Sequence, residues 1–139
     1  MAKQTGLGDY IAVDDSAGNA RDISNDISGG YGVNVNQEVI DVTGLDKSAR
    51  ERLTGMSDGD VTLTGTFNST SQKSHDVFKT LTGTRTFDLR IGGNSGGNPK
   101  LPMEMVCANY NIGRDPSGQL VWTATMNLAN GTVPTWTTV

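Results

Sequence analysis

Apolar residues along this chain recur mostly at every second position. Val61, Leu63 and Phe67 alternate with Thr62, Thr64 and Thr66, which predicts a strand with one buried face. Phe87, Leu89 and Ile91 alternate in the same way with Thr86, Asp88 and Arg90. Leu120, Trp122, Ala124, Met126 and Leu128 are expected to face inward, with Thr123, Thr125 and Asn127 facing out. Residues 101–112 and 119–129 flank the turn sequence GRDPSG and predict a long antiparallel hairpin. A first strand is expected over 9–13, and residues 21–27 alternate weakly. Val33, Val35 and Val39 mark an extended stretch, and 38–43 reads as a further strand.

The period changes once. Ser69 and Gln72 have capping-box spacing, and Ser74, Val77, Phe78 and Leu81 share one helical face, so a helix is predicted over 69–82. Gly83 stops it. Residues 44–60 carry no strand pattern and read as a long charged loop, with at most one helical turn capped by Asp46. Residues 1–8 form a small polar arm. Residues 130–139 contain Pro134, which cannot join a central ladder, and read as an edge strand or tail. Roughly seven or eight strands and one helix predict an all-β fold. Its form is two packed antiparallel β-sheets, sandwich- or barrel-like, with one flanking α-helix. Residues 1–139 are expected to form a single domain.

Composition agrees. The chain has 139 residues, 18 of them glycine, and an apolar fraction of 35%, below the usual range for a globular domain. So lean a sequence is consistent with a partner chain supplying part of the burial. The net charge of −4 excludes the basic stripe of a free-standing nucleic-acid binder. Charge is also uneven: eight acids lie between Asp9 and Asp46 against the single base Arg21, and then Lys47, Arg50 and Arg52 follow closely. These are either solvated faces or complementary patches that meet between copies of the chain. The first ten residues are too polar for a secretion signal, and no apolar run reaches a membrane span, so a cytosolic chain with no membrane partner is expected.

Residues 93–97, GNSGG, fit the G-x-S-x-G pattern of a nucleophile elbow. That elbow needs a helix after the serine, whereas two prolines, Pro99 and Pro102, follow Ser95. His75 is the one histidine, and it is expected on the helix beside Asp76, where neighbours point to different faces. The stretch therefore reads as a swinging glycine loop. Cys107 is also single and shares strand parity with Met103 and Met105, which predicts a buried thiol and excludes an intrachain disulfide. No catalytic, cofactor or metal residues are expected, and the chain is not expected to be an enzyme.

The opening MAKQTGLGD, the stretch VTGLDKSARERLTGMSDGDVTLTGTFN and the following SQKSHDVFKTL resemble the major tail tube proteins of long-tailed, siphovirus-type bacteriophages. The resemblance covers most of the chain in order; GGNSGGNP has no counterpart in it. It implies a structural virion protein that assembles as homohexameric rings, stacked head-to-tail into the phage tail tube. The tube would serve as a conduit for DNA ejection. Implied partners are other copies of the chain, the tape-measure, tail-terminator and tail-tip proteins, and double-stranded DNA in transit. The implied location is the virion tail, assembled in the bacterial host cytoplasm. Six subunits lending four strands each, roughly 24 in all, would enclose a channel about 48 Å across between backbones.

On that reading the arm and the charged loop order on stacking. Inter-subunit contacts are then expected at Lys3, Leu7, Asp46, Lys47, Arg50, Arg52, Met56 and Asp58, the basic residues meeting acids of the adjacent ring, around a net acidic lumen. Two alternatives stay open. One is a carbohydrate-binding β-sandwich that stacks sugars on Tyr31, Tyr110 and Trp136. The other is another hexameric ring or contractile-tail tube protein of a phage particle.

Overall fold

The computed structural model describes residues 3–129 and 131–139; the predictions for Met1, Ala2 and Asn130 lie outside them. Among the described residues, strands β1 (Tyr10–Asp14), β2 (Ala20–Asp22), β3 (Gly30–Asp41) and β4 (Arg52–Thr66) precede the short helix α1 (Ser74–Phe78). Strands β5 (Thr84–Arg90), β6 (Pro99–Arg114), β7 (Leu120–Leu128) and β8 (Thr137–Thr138) follow it. All pairings are antiparallel, in the order β2-β1-β5-β6-β7-β4-β3, with β8 on the start of β6.

The two layers are joined through β6. Its first half pairs with β5 from Lys100 to Val106, and its second half pairs with β7 from Met105 to Arg114. A register shift between Cys107 and Asn109 marks the passage from one layer to the other, as expected of a bulge that bends a strand. The inward faces of both layers share one core. Val13, Phe87, Leu101 and Met105 from one side join Val61, Leu63, Trp122 and Met126 from the other, all essentially inaccessible to solvent. The alternation in the sequence therefore marks burial correctly, and Cys107 is a buried free thiol. Leu120, expected inside, sits at the strand end and is exposed.

Three stretches differ from the sequence reading. Strand β4 begins at Arg52, so the loop expected over 44–60 shrinks to the tip of a β3–β4 hairpin. The register jumps from Gln37↔Ser57 to Val39↔Thr54, so an extra β4 residue opposes Glu38; this bulge breaks the period of two and hides the strand. The two extended stretches expected around Val33–Thr43 are the single strand β3. The helix expected over 69–82 spans only Ser74–Phe78, and Leu81 is exposed. Gln72, the presumptive capping-box partner, has a positive φ of 68°, which is incompatible with a helix interior.

What holds so short a helix is tertiary. Asp26, buried, accepts the backbone N–H of Ser74 at 2.9 Å through Oδ2 and the Asn68 amide at 2.8 Å through Oδ1. At the other end, buried Arg85 donates to the carbonyls of Val77 and Thr80, and to that of Asp14 at 3.2 Å. A carboxylate at the N-terminus and a guanidinium at the C-terminus complement the helix dipole at both ends. Gly65 makes this possible by letting strand β4 run against the Asp26 backbone: a Cβ there would lie 1.7 Å from the Asp26 carbonyl oxygen. Gly65→Ala is expected to cost about 3 kcal/mol or more, read as a lowered thermal midpoint.

Candidate assembly surfaces

Strand β7 reaches only the Asp60↔Asn127 pair, so among the described residues β4 residues 52–59 have no strand partner but β3. The hairpin thus continues past the body as a two-stranded arm. Such a ribbon is marginal alone in water, yet this one is apolar on both faces. Val39 lies on one face at 59% exposure, and Leu53, paired with Ile40, lies on the other at 59%; Met56 at the bulge is 82% exposed.

The tip is well ordered by its own polar groups. Glu51 donates its N–H to the Thr43 hydroxyl at 2.9 Å, and Val42 N–H donates to the Glu51 carbonyl at 3.0 Å. Asp41 accepts both from Thr43 and from Arg50 at 2.9 Å, and those hydrogen bonds, the Thr43 hydroxyl foremost, hold its carboxyl below the usual range. Of the predicted contact residues, Arg50 is therefore engaged within its own chain. Asp46, Lys47 and Arg52 are exposed and make no ion pair among the described residues. Asp58 is exposed on the outer face of β4, opposite Asn36.

The polar arm behaves differently from a free tail. Lys3 and Leu7 are exposed, Leu7 at 85%. Asp9 at its base ties three segments together: it accepts the Gly92 N–H at 2.8 Å through Oδ1 and the Tyr31 hydroxyl through Oδ2. Burial, with the Asp9 carboxylate second, raises the Tyr31 phenol above its ordinary range. The glycine loop after β5 is likewise stitched down instead of swinging. Gly97 N–H donates to the Val139 carbonyl at 3.2 Å, Val139 N–H to the Asn98 carbonyl at 2.9 Å, and the Asn98 amide to Gly93 at 3.1 Å. Ser95 sits exposed at its tip. His75 directs Nδ1 at the Tyr110 hydroxyl, 3.3 Å away.

A sugar-stacking platform finds little here. Tyr31 is bonded to Asp9, and Tyr110 packs between Phe78 and Trp122, leaving Trp136 half-exposed. Among the described residues, no three His, Cys, Asp or Glu side chains cluster as metal ligands would. No helix among them is long and apolar enough to cross a membrane.

Sequence reasoning missed the Asp26 and Arg85 anchors and the Asp9 hub. Arg85 left a trace, since it shares strand parity with Phe87 and Leu89 and so sits where an inward residue belongs.

The fold defined by these elements is a two-layer antiparallel β-structure with a flanking helix and a projecting hairpin. It is shared along the whole chain with a chain of the virion of a native gene transfer agent particle. There the TM-score is 0.74 at 15% identity, covering 99% of both chains. A chain of the tail of an empty gene transfer agent particle with C6 symmetry is similar with a TM-score of 0.72 at 16% identity, again over 99% of each. No protein-family model matches the sequence, and no curated protein matches it.

Proposed function

We propose that this chain is a tail tube subunit: six copies close a ring, and rings stack head-to-tail into a conduit through which DNA leaves a phage-like particle. The observation that carries this is the β3–β4 arm, a ribbon with exposed apolar side chains on both faces, Val39 and Leu53 each at 59% and Met56 at 82%. The fold shared with a chain of a C6-symmetric tail supports the same reading.

The sheet edges fit ring closure. Strands β3, β4, β7 and the second half of β6 form a four-stranded antiparallel layer. Its outer strands, β3 and residues 107–114 of β6, have no second strand partner among the described residues. They run in opposite directions, so β3 of one copy can pair antiparallel with β6 of the next, and closure removes edges that would otherwise template aggregation. In the stack, the arm, with Asp46, Lys47, Arg50, Arg52, Met56 and Asp58, and the base containing Lys3 and Leu7, contact the adjacent ring. A non-closing, heterologous contact of this kind yields a filament. The tape-measure, terminator and tip proteins are its partners in the virion tail, and assembly takes place in the bacterial cytoplasm.

Electron microscopy of the pure protein over a concentration series tests this directly. Rings or tubes are expected as concentration rises; monomers at every concentration refute it. Charge reversal at Lys47, Arg50 and Arg52 together is expected to abolish tubes at moderate salt. Normal tubes from that variant would remove the electrostatic part of the stacking contact and leave the ring.

A further inference from the structure

Just ahead of β1, residues 6–9 form a defined turn within the isolated chain. Asp9 N–H donates to the Gly6 carbonyl at 3.4 Å, and Gly8 takes a φ of 85°, which a type II turn requires at its third position. Leu7 stands at the corner and is 85% exposed. A recess lined by Ile11, Ile27 and Tyr31 adjoins the turn, yet the Leu7 side chain stays in water. The turn holds it out.

Two features fix this turn to the body. The first is the Asp9 carboxylate. It accepts the Gly92 N–H at 2.8 Å through Oδ1 and the Tyr31 hydroxyl through Oδ2, so the turn is tied to the loop after β5 and to the start of β3. The second is the loop itself. A Cβ on Gly93 would meet the Gly8 carbonyl oxygen at 3.2 Å, so a bare glycine lets the loop lie against the turn. The loop is braced from behind, because the Asn98 amide donates to the Gly93 carbonyl and Val139 N–H donates to that of Asn98. The GGNSGGNP stretch, which has no counterpart in the sequence resemblance, thereby acquires a place in the fold. It is the seat on which the turn rests.

We propose that Asp9 is a positioning residue for stacking: with the Gly92–Gly93 seat it holds the Gly6–Asp9 turn in its contact shape in the free subunit, so that Leu7 meets the adjacent ring ready-made. The inference rests on the tube reading and deepens it. It also changes the expectation that the whole arm orders on stacking, since residues 6–9 are set beforehand. An apolar side chain presented by a rigid turn binds more tightly than the same side chain on a loose segment, because less freedom is lost on association. Ordering the backbone of a single residue is worth about tenfold in an association constant. Asp9 acts on the contact through Leu7.

NMR relaxation on dissociated subunits tests the preformed turn without requiring assembly. Backbone order parameters of Leu7 and Gly8 are expected to match those of β1 in the unsubstituted chain and to fall below about 0.6 in Asp9→Ala. Tyr31→Phe removes one tether and leaves the ring in place; it should loosen the same two residues in smaller measure, and it serves if Asp9→Ala fails to fold. Sedimentation then reads the consequence. Asp9→Ala is expected to raise the concentration needed for tubes at least about tenfold while rings still close. Leu7→Ala should raise it as well, and the double variant should be no worse than the worse single one, because one residue acts through the other. Leu7 and Gly8 found loose in the unsubstituted subunit, or two effects that multiply, would overturn the positioning role and leave the tube reading standing. If no rings or tubes form from the unsubstituted chain, it is the tube reading that fails, whatever the order parameters show.

Discussion

Val39→Asp combined with Leu53→Asp is expected to give a folded subunit that no longer polymerises. The two residues lie on opposite faces of the arm, outside the single core cluster, and each is 59% exposed. Introducing charge there costs the isolated subunit little, because both aspartates remain in water. In a stacked tube the wild-type side chains are covered, and burying a Val or Leu side chain fully contributes about 1.5–3 kcal/mol. Removing two such contacts per subunit should raise the concentration needed for assembly by at least about a hundredfold, since each 1.4 kcal/mol is a factor of ten. Sedimentation across a concentration series reads the shift, and an unchanged circular dichroism melt establishes that the subunit is intact. Tubes at the wild-type concentration would mean that the arm is not what joins the rings.

The second large effect is on the subunit itself. Arg85→Met keeps most of the side-chain volume but removes every donor that reaches the carbonyls of Asp14, Val77 and Thr80. Those oxygens lie beside a buried position, and unsatisfied buried acceptors cost about 1–3 kcal/mol each. Some of this is offset because a charged group no longer has to be desolvated, and Arg85 Nε is itself buried without a partner. A net loss of about 3 kcal/mol is expected, which for a domain of this size lowers the thermal midpoint by roughly 10 °C. Arg85→Lys should recover only part of it, because an ammonium cannot reach several carbonyls from one planar fork. A melt unchanged by Arg85→Met would show that α1 is held without Arg85, by the Asp26 anchor and the packing of Val77 and Phe78.

The sequence disclosed burial far better than connectivity. Period-two runs around Val61, Phe87 and Trp122 identified the core faces because each strand there is flanked by neighbours on both sides. The same logic failed at 44–60, where the bulge opposite Glu38 shifts the phase and the strand lies outside the core, so neither alternation nor apolar content announces it. The helix was overextended for a complementary reason. Local capping signals at Ser69 and Gln72 suggested a start that the chain does not use, while the true anchor, Asp26, lies far away in sequence. The expected contacts at Lys47, Arg50 and Arg52 were visible as a basic cluster, of which Arg50 pairs with Asp41 of its own chain. The apolar character of the arm was not, since Val39, Ile40, Leu53 and Met56 come together only once β3 and β4 are in register.

The strand order carries a consequence for how the polypeptide emerges during synthesis. The pairings that join the hairpins into one body wait for later strands: β1 needs β5, and β4 needs β7. The β3–β4 hairpin is the one long ladder available early, and it is also the element with greasy, uncovered sides. Until Leu128 has been made, a nascent chain can display its sticky ribbon without the body that spaces and orients it. Output of assembly-competent protein should then depend on translation speed and on holding factors in the cell, in keeping with the slow folding of such non-local topologies.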